Sequence, residues 1–291
     1  FEGLPSDRLL FPNITCHPDL CVEDRAGKTW MELFKGYSQA PDLERTNFVP
    51  GWDFVHDDSH PNDDNSHGTH VAGTIAQSTG NEIGVAGIAP GVSIMPIKVA
   101  NEKGVSTHWD LAQGIRYAVD NGADIINMSL GGRDSPIKEE AIQYAHSRGV
   151  FLVAAAGNSG RENLSYPAAY PEVFSVGATR ADEHIANYST WGSTLNIMAP
   201  GGERIKQTKD EYNDGILQNI FLRLGGRFVS EREIGYRLPD FQKFVYSFNI
   251  GTSMAAPHVA GVAALLLSTG KANSANEVKH ILEVTAKDLG P

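Results

Sequence analysis

The chain has 291 residues, 41% of them hydrophobic and 20% charged, which allows one large α/β domain or two small ones. Its 24 Lys and Arg against 35 Asp and Glu give a formal net charge of −11. With no basic stripe, that balance excludes an electrostatic nucleic-acid binder. The longest apolar run, residues 259–267, falls well short of the ~18 residues of a membrane span and reads as part of a buried helix.

Residues 1–33 form an atypical opening segment, without a hydrophobic period and mixing Pro, Cys and charge. No basic start followed by an apolar stretch is present, which suits a processed mature chain or one made without a signal. Cys16 and Cys21 can pair across a tight loop or stand as two thiols, and they are too few for a four-cysteine zinc site. From residue 92 the pattern alternates. Apolar runs at 93–99, 124–130, 150–156, 174–178 and 195–199 predict strands, with helices over 110–120 and near 137–147 between them. Wholly apolar strands alternating with helices predict a three-layer α/β fold with a mostly parallel sheet. Sites in such sheets form at the carboxyl ends of strands, where Gly, Asn and Ser cluster here. Residues 202–250 are long, charged and weakly patterned, and read as an insertion with a hairpin turn near Gly225 and Gly226.

Three segments carry chemistry: HGTHVAGT at 67–74, AAAGNSG at 154–160 and GTSMAAPHVAG at 251–261. Singly they read as a helix start, a strand ending in a turn, and an N-cap. A zinc-protease reading of HGTH fails, because that motif needs histidines four apart with a glutamate between them. Together and in this order, the three segments resemble the subtilisin-like serine proteases over roughly residues 38–201 and 251–291.

The resemblance implies a catalytic domain over residues 34–291 that hydrolyses peptide bonds through an Asp/His/Ser triad and an acyl-enzyme. Ser253 would be the nucleophile, His67 the general base and Asn158 an oxyanion donor beside the Ser253 N–H. Met254, Ala255 and Val259 read as packing residues, and His70 and His258 as buried or satisfied histidines. A rate rising through roughly pH 6 to 8 would follow from an ordinary histidine base. Ser129, Leu130 and Gly131 would pair with extended substrate, opposite residues 104–107. Residues 155–157, Ser159 and Ser165 would line a pocket with no acidic group, against a strict demand for Lys or Arg.

Calcium is the implied cofactor. Asp42, Ser78, Asn81, Ile83 and Val85 match one family loop, and Asp53, Asp58, His60 and Asn62 match a second in the thermitase-like branch, although His56 stands where that branch carries another Asp. The resemblance also implies secretion, polypeptide substrates, a monomer and a propeptide removed on maturation.

The family's Asp-Thr-Gly or Asp-Ser-Gly motif is missing, and Asp24, in VEDRAG at 22–27, is the nearest analogue of the triad acid. The alternative is therefore an impaired relative that binds peptide strands without efficient turnover. Relatives continue past Asp288-Leu-Gly-Pro291, so a truncated C-terminus is expected.

Overall fold

Apolar, β-branched runs pair side by side in one parallel sheet because helices cover both of its faces. The structure, a computed structural model, describes residues 8–11, 40–203, 214–222 and 240–289. Its strands in chain order are β1 (Arg8–Phe11), β2 (Asn47–Phe48), β3 (Trp52–Asp53), β4 (Ser93–Lys98), β5 (Ile125–Met128), β6 (Phe151–Ala155), β7 (Phe174–Thr179) and β8 (Ile197–Pro200). The spatial order is β2-β4-β1-β5-β6-β7-β8, with β3 also pairing with β4. The helices are α1 (His67–Ala76), α2 (His108–Asp120), α3 (Pro136–Ser147), α4 (Thr252–Ser268) and α5 (Ala275–Thr285).

Every residue of β4, β5, β6 and β7 is buried, and alternate residues serve two separate cores. Ile94, Ile125, Val153 and Val176 pack with α1, α4 and α5. Met95, Ile126, Leu152 and Ala154 pack with α2 and α3 on the other face. The strands expected from the sequence all form; β4, β5 and β6 are trimmed at their ends, whereas β7 and β8 each run one residue past the expected end. Among the described residues no helix is long and apolar enough to cross a membrane.

The opening segment departs from expectation. Arg8–Phe11 is a central strand, parallel to both β4 and β5, with Leu9 in register with Ile94 and Ile125. Four residues are too few for a period to show, and such a strand takes its stability from its neighbours rather than from its own pattern. The insertion forms an antiparallel pair, β9 (Ile216–Leu222) with β10 (Asp240–Asn249), and β9 packs on α1. The turn expected near Gly225 and Gly226 lies outside the described residues.

Helix α4 is apolar on nearly all sides, as a helix wrapped by protein must be. Eleven of its 17 residues are buried, and it contacts β5, β6, β7 and β8 along with α1. Gly261 lets it approach closely: a Cβ there would fall 2.8 Å from the Ile88 Cβ.

Candidate active site

The first turns of α1 and α4 and the ends of β5 and β6 supply the three motifs. At α1, Ser66 adopts a left-handed conformation and its side chain makes no cap. Asp63 takes over that task. Its Oδ1 accepts from the N–H groups of Asn65 and Ser66, both at 2.8 Å, and its Oδ2 accepts from Thr69 N at 2.9 Å and Thr69 Oγ1 at 2.6 Å. These bonds satisfy orphan donors of the helix start and fix how His67 leaves the loop. Burial raises the Asp63 pKa, against the pull of the four bonds. Sequence reasoning passed over Asp63; its signal is an acidic residue just before a helix whose cap position lacks a working side chain.

Among the described residues, nothing donates to or accepts from the His67 ring, and burial pushes its pKa down to about 4. His70, one turn later, is fully buried; its Nε2–H donates to the Ile216 carbonyl at 2.9 Å. Burial and the neighbouring His67 and His258 also hold it near 4, against the pull of its carbonyl partners. His258 Nδ1 donates to the Met254 carbonyl at 2.8 Å, and burial lowers its pKa. Asp24, the candidate acid, lies outside the described residues.

At α4, Ser253 is the second residue of the helix. Its Oγ–H donates to the Ser129 carbonyl at 3.2 Å. In return, Ser129 Oγ–H donates to the Ser253 carbonyl at 2.7 Å, and Asn127 Nδ2 donates to Ser129 Oγ at 3.0 Å. Asn158 follows β6. Its Oδ1 accepts from Thr252 N and Thr252 Oγ1, both at 2.9 Å, which turns its Nδ2 away from Thr252. Thr252, another residue the sequence left unmarked, is fully buried. Gly251 has φ +146°, and a Cβ built there would lie 3.4 Å from Asn158 Nδ2 and 3.7 Å from Ser253 N. Two N–H donors thus border a space that only glycine leaves open.

Ser129, Leu130 and Gly131 run on from β5. Among the described residues, the backbones of Leu130 and Gly131 have no backbone partner, whereas Gly132 exchanges both bonds with Tyr166. Residues 104–107, expected as the opposite wall, are shaped by Gly104 at φ +75° and by the bond from Asn101 N to Val105 O at 3.0 Å. In the expected pocket, Ser165 N donates to Ala156 O at 2.9 Å and Ser159 Oγ lies 3.0 Å from Thr190 Oγ1. All of these groups are neutral.

Hydrogen-bond donors surround the carboxylates of both expected calcium sets. The Asp42 carboxylate is fully buried and faced by hydrogen-bond donors. Asn81 Nδ2 donates to Oδ1 at 2.7 Å; Val85 N at 3.1 Å, Tyr246 Oη at 3.0 Å and Gln77 Nε2 all donate to Oδ2. Ser78 contributes N–H to the Asp42 carbonyl, and its Oγ accepts from Arg45 N. Ile83 stands exposed beside this cluster. Calcium needs converging oxygens, and here N–H and O–H groups fill the lone pairs it would use.

At the second set, Asp53 Oδ1 accepts from Val55 N and His56 N, and its Oδ2 lies 2.9 Å from His56 Nδ1. Asp58 Oδ1 accepts from His60 N, and the His60 carbonyl accepts from Asn62 N. His56 thus occupies the carboxylate that a cation would need. Among the described residues, no group of three or more His, Cys, Asp or Glu is placed to hold a metal.

The peptidase S8 model, described as the subtilase family, matches residues 17–291. Subtilisin DY of Bacillus licheniformis is 39% identical over 247 residues, covering 83% of this chain and 78% of its own. Thermitase of Thermoactinomyces vulgaris is 37% identical over 253 residues, covering 87% and 78%. A protease of Pseudoalteromonas arctica superposes with a TM-score of 0.74 at 30% identity, over 97% of this chain and 83% of that one. With its three motifs gathered at the strand ends and helix starts, the chain belongs to the subtilase family of serine endopeptidases.

Proposed function

We propose that the chain cleaves extended polypeptides through an acyl-enzyme on Ser253, with His67 as base and Asn158 Nδ2 and Ser253 N–H as oxyanion donors. The observation that carries this reading is the space beside Gly251, bordered by Asn158 Nδ2 and by the backbone N–H of Ser253 itself. Ser253 Oγ turns from the Ser129 carbonyl toward His67, gives up its proton and attacks the substrate carbonyl carbon. The oxygen that becomes negative gains both N–H bonds as it forms, so the site binds the transition state more tightly than the substrate. His67 then passes the proton to the leaving amine, and water, activated by the same ring, releases the acid. The backbone at Leu130 and Gly131, without a backbone partner among the described residues, favours an extended strand, read by main-chain bonds rather than by sequence. Secretion, a monomeric state and removal of a propeptide belong to the same reading.

One observation favours the impaired relative as a second reading: no described carboxylate reaches His67. The rate at which a sulfonyl fluoride labels Ser253, measured against pH, tests both. The base must be neutral, so labelling is fast above the His67 pKa and falls as pH drops through it. With burial alone acting on the ring, the midpoint falls near 4. A midpoint at ~6.5 or above that drops in Asp24→Asn assigns Asp24 as the orienting acid. A midpoint near 4 that ignores that substitution leaves His67 without an acid and favours the impaired relative. Absence of labelling at every pH would remove Ser253 as nucleophile.

Calcium dependence, implied by the resemblance, is not supported by the donors around Asp42. The melting temperature is therefore expected to be the same in calcium and in chelator. Tyr246→Phe, which deletes one of the donors to Asp42, lowers it by about 2–4 °C. A saturable calcium-induced rise, lost in Asp42→Asn, would mean that the Asn81 amide and Tyr246 yield to the ion.

A further inference from the structure

The carbonyl of the nucleophilic residue is held by a bond that its helix cannot make. In an α-helix the carbonyl of residue i accepts from the N–H of i+4. For Ser253 that residue is Pro257, which lies inside α4 and has no N–H. The carbonyl is not left bare, because the Ser129 hydroxyl, arriving from the end of β5, donates to it at 2.7 Å. Asn127 Nδ2 donates to the same hydroxyl oxygen at 3.0 Å, which directs its one proton toward Ser253. Asn127 and Ser129 are 1% and 2% exposed, so water does not substitute for either bond.

We propose that Ser129, through its hydroxyl, is a positioning residue for the nucleophile, supplying the hydrogen bond that Pro257 withholds. Ser253 sits in the first turn of α4, where a helix frays unless its groups are paired. When Ser253 Oγ leaves the Ser129 carbonyl for His67, the bond from Ser129 Oγ to the Ser253 carbonyl stays. Only the nucleophile's hydroxyl has to rotate; its backbone keeps its place against Asn158 and Gly251. This role is separate from strand pairing with substrate, which uses the backbone of residues 129–131.

The test is a double-mutant cycle on the full chain, comparing Ser129→Ala, Pro257→Ala and the pair. Pro257→Ala restores an N–H four residues after Ser253, so the carbonyl regains a helical partner. Ser129→Ala alone is expected to lower kcat on a peptide anilide by about three- to tenfold, with KM changed by less than about twofold. In the Pro257→Ala background the same change is expected to cost less than about twofold. The melting temperature should show the same non-additivity.

This inference rests on Ser253 as nucleophile only for its kinetic half. The thermal half reads the hydrogen bond whatever Ser253 does, so the two can fail separately. Equal penalties for Ser129→Ala in both backgrounds would overturn the proposal, as would a raised KM with kcat unchanged. If Ser129→Ala does not fold, a folded double variant supports the proposal and an unfolded one overturns it.

Discussion

Ser253→Ala abolishes casein hydrolysis and leaves the thermal unfolding transition in place. In subtilisin, a relative, loss of the nucleophile costs on the order of 10⁶ in turnover, and the same scale is expected here. The fold should tolerate the change because the hydroxyl's described bond is one 3.2 Å contact to the Ser129 carbonyl, at a half-buried position. The bond that anchors the Ser253 backbone uses its carbonyl, which alanine keeps. Calorimetry and casein hydrolysis on one preparation separate the two effects. Unaltered hydrolysis would place the nucleophile elsewhere.

Asn158→Leu is expected to lower kcat by about 10² to 10³ with little change in KM, the scale known for this donor in subtilisin. The reason lies in when the bond forms. The Nδ2 group borders the space beside Gly251 and meets full negative charge only after attack, so its loss raises the barrier without weakening substrate binding. Leucine also strips the acceptor from Thr252 N and Thr252 Oγ1. Thr252 is fully buried, so its two donors lose their acceptor and the melting temperature is expected to fall as well, an effect calorimetry separates from the loss of kcat. A rise in KM with kcat intact would indicate that Asn158 holds substrate rather than the oxyanion.

Much of this was legible in the sequence because the chemistry sits in contiguous motifs. The candidate residues Ser253, His67 and Asn158 stand in three short strings, and the sheet was read from runs such as SIMPIKV and VFLVAAA, which are buried on both faces and nearly free of polar residues. What escaped depends on contacts between distant segments. Tyr246 and Asp42 are 204 residues apart, so no local pattern shows that a tyrosine takes up a carboxylate expected to face calcium. His56 at Asp53 was a visible departure, and it proved to occupy that carboxylate. Arg8–Phe11 was missed because two neighbouring strands, rather than its own alternation, hold it in the sheet. Ser129 was marked for its backbone alone. The clue to its hydroxyl was Pro257, four residues after Ser253, where a helix loses one donor.

The burial of α4 bears on how a protease survives its own company. Openings of the chain range from local fraying to global unfolding, and segments with few buried contacts open first. Exposed stretches such as residues 103–105 are candidates for that early opening, whereas α4 is enclosed by four strands and α1 and moves only when the core does. A molecule with a loop briefly open therefore keeps Ser253 in its place, and so do its neighbours. Self-digestion then depends on one copy meeting another, and its pace is set by protein concentration and by the most weakly held loop rather than by the stability of the catalytic centre.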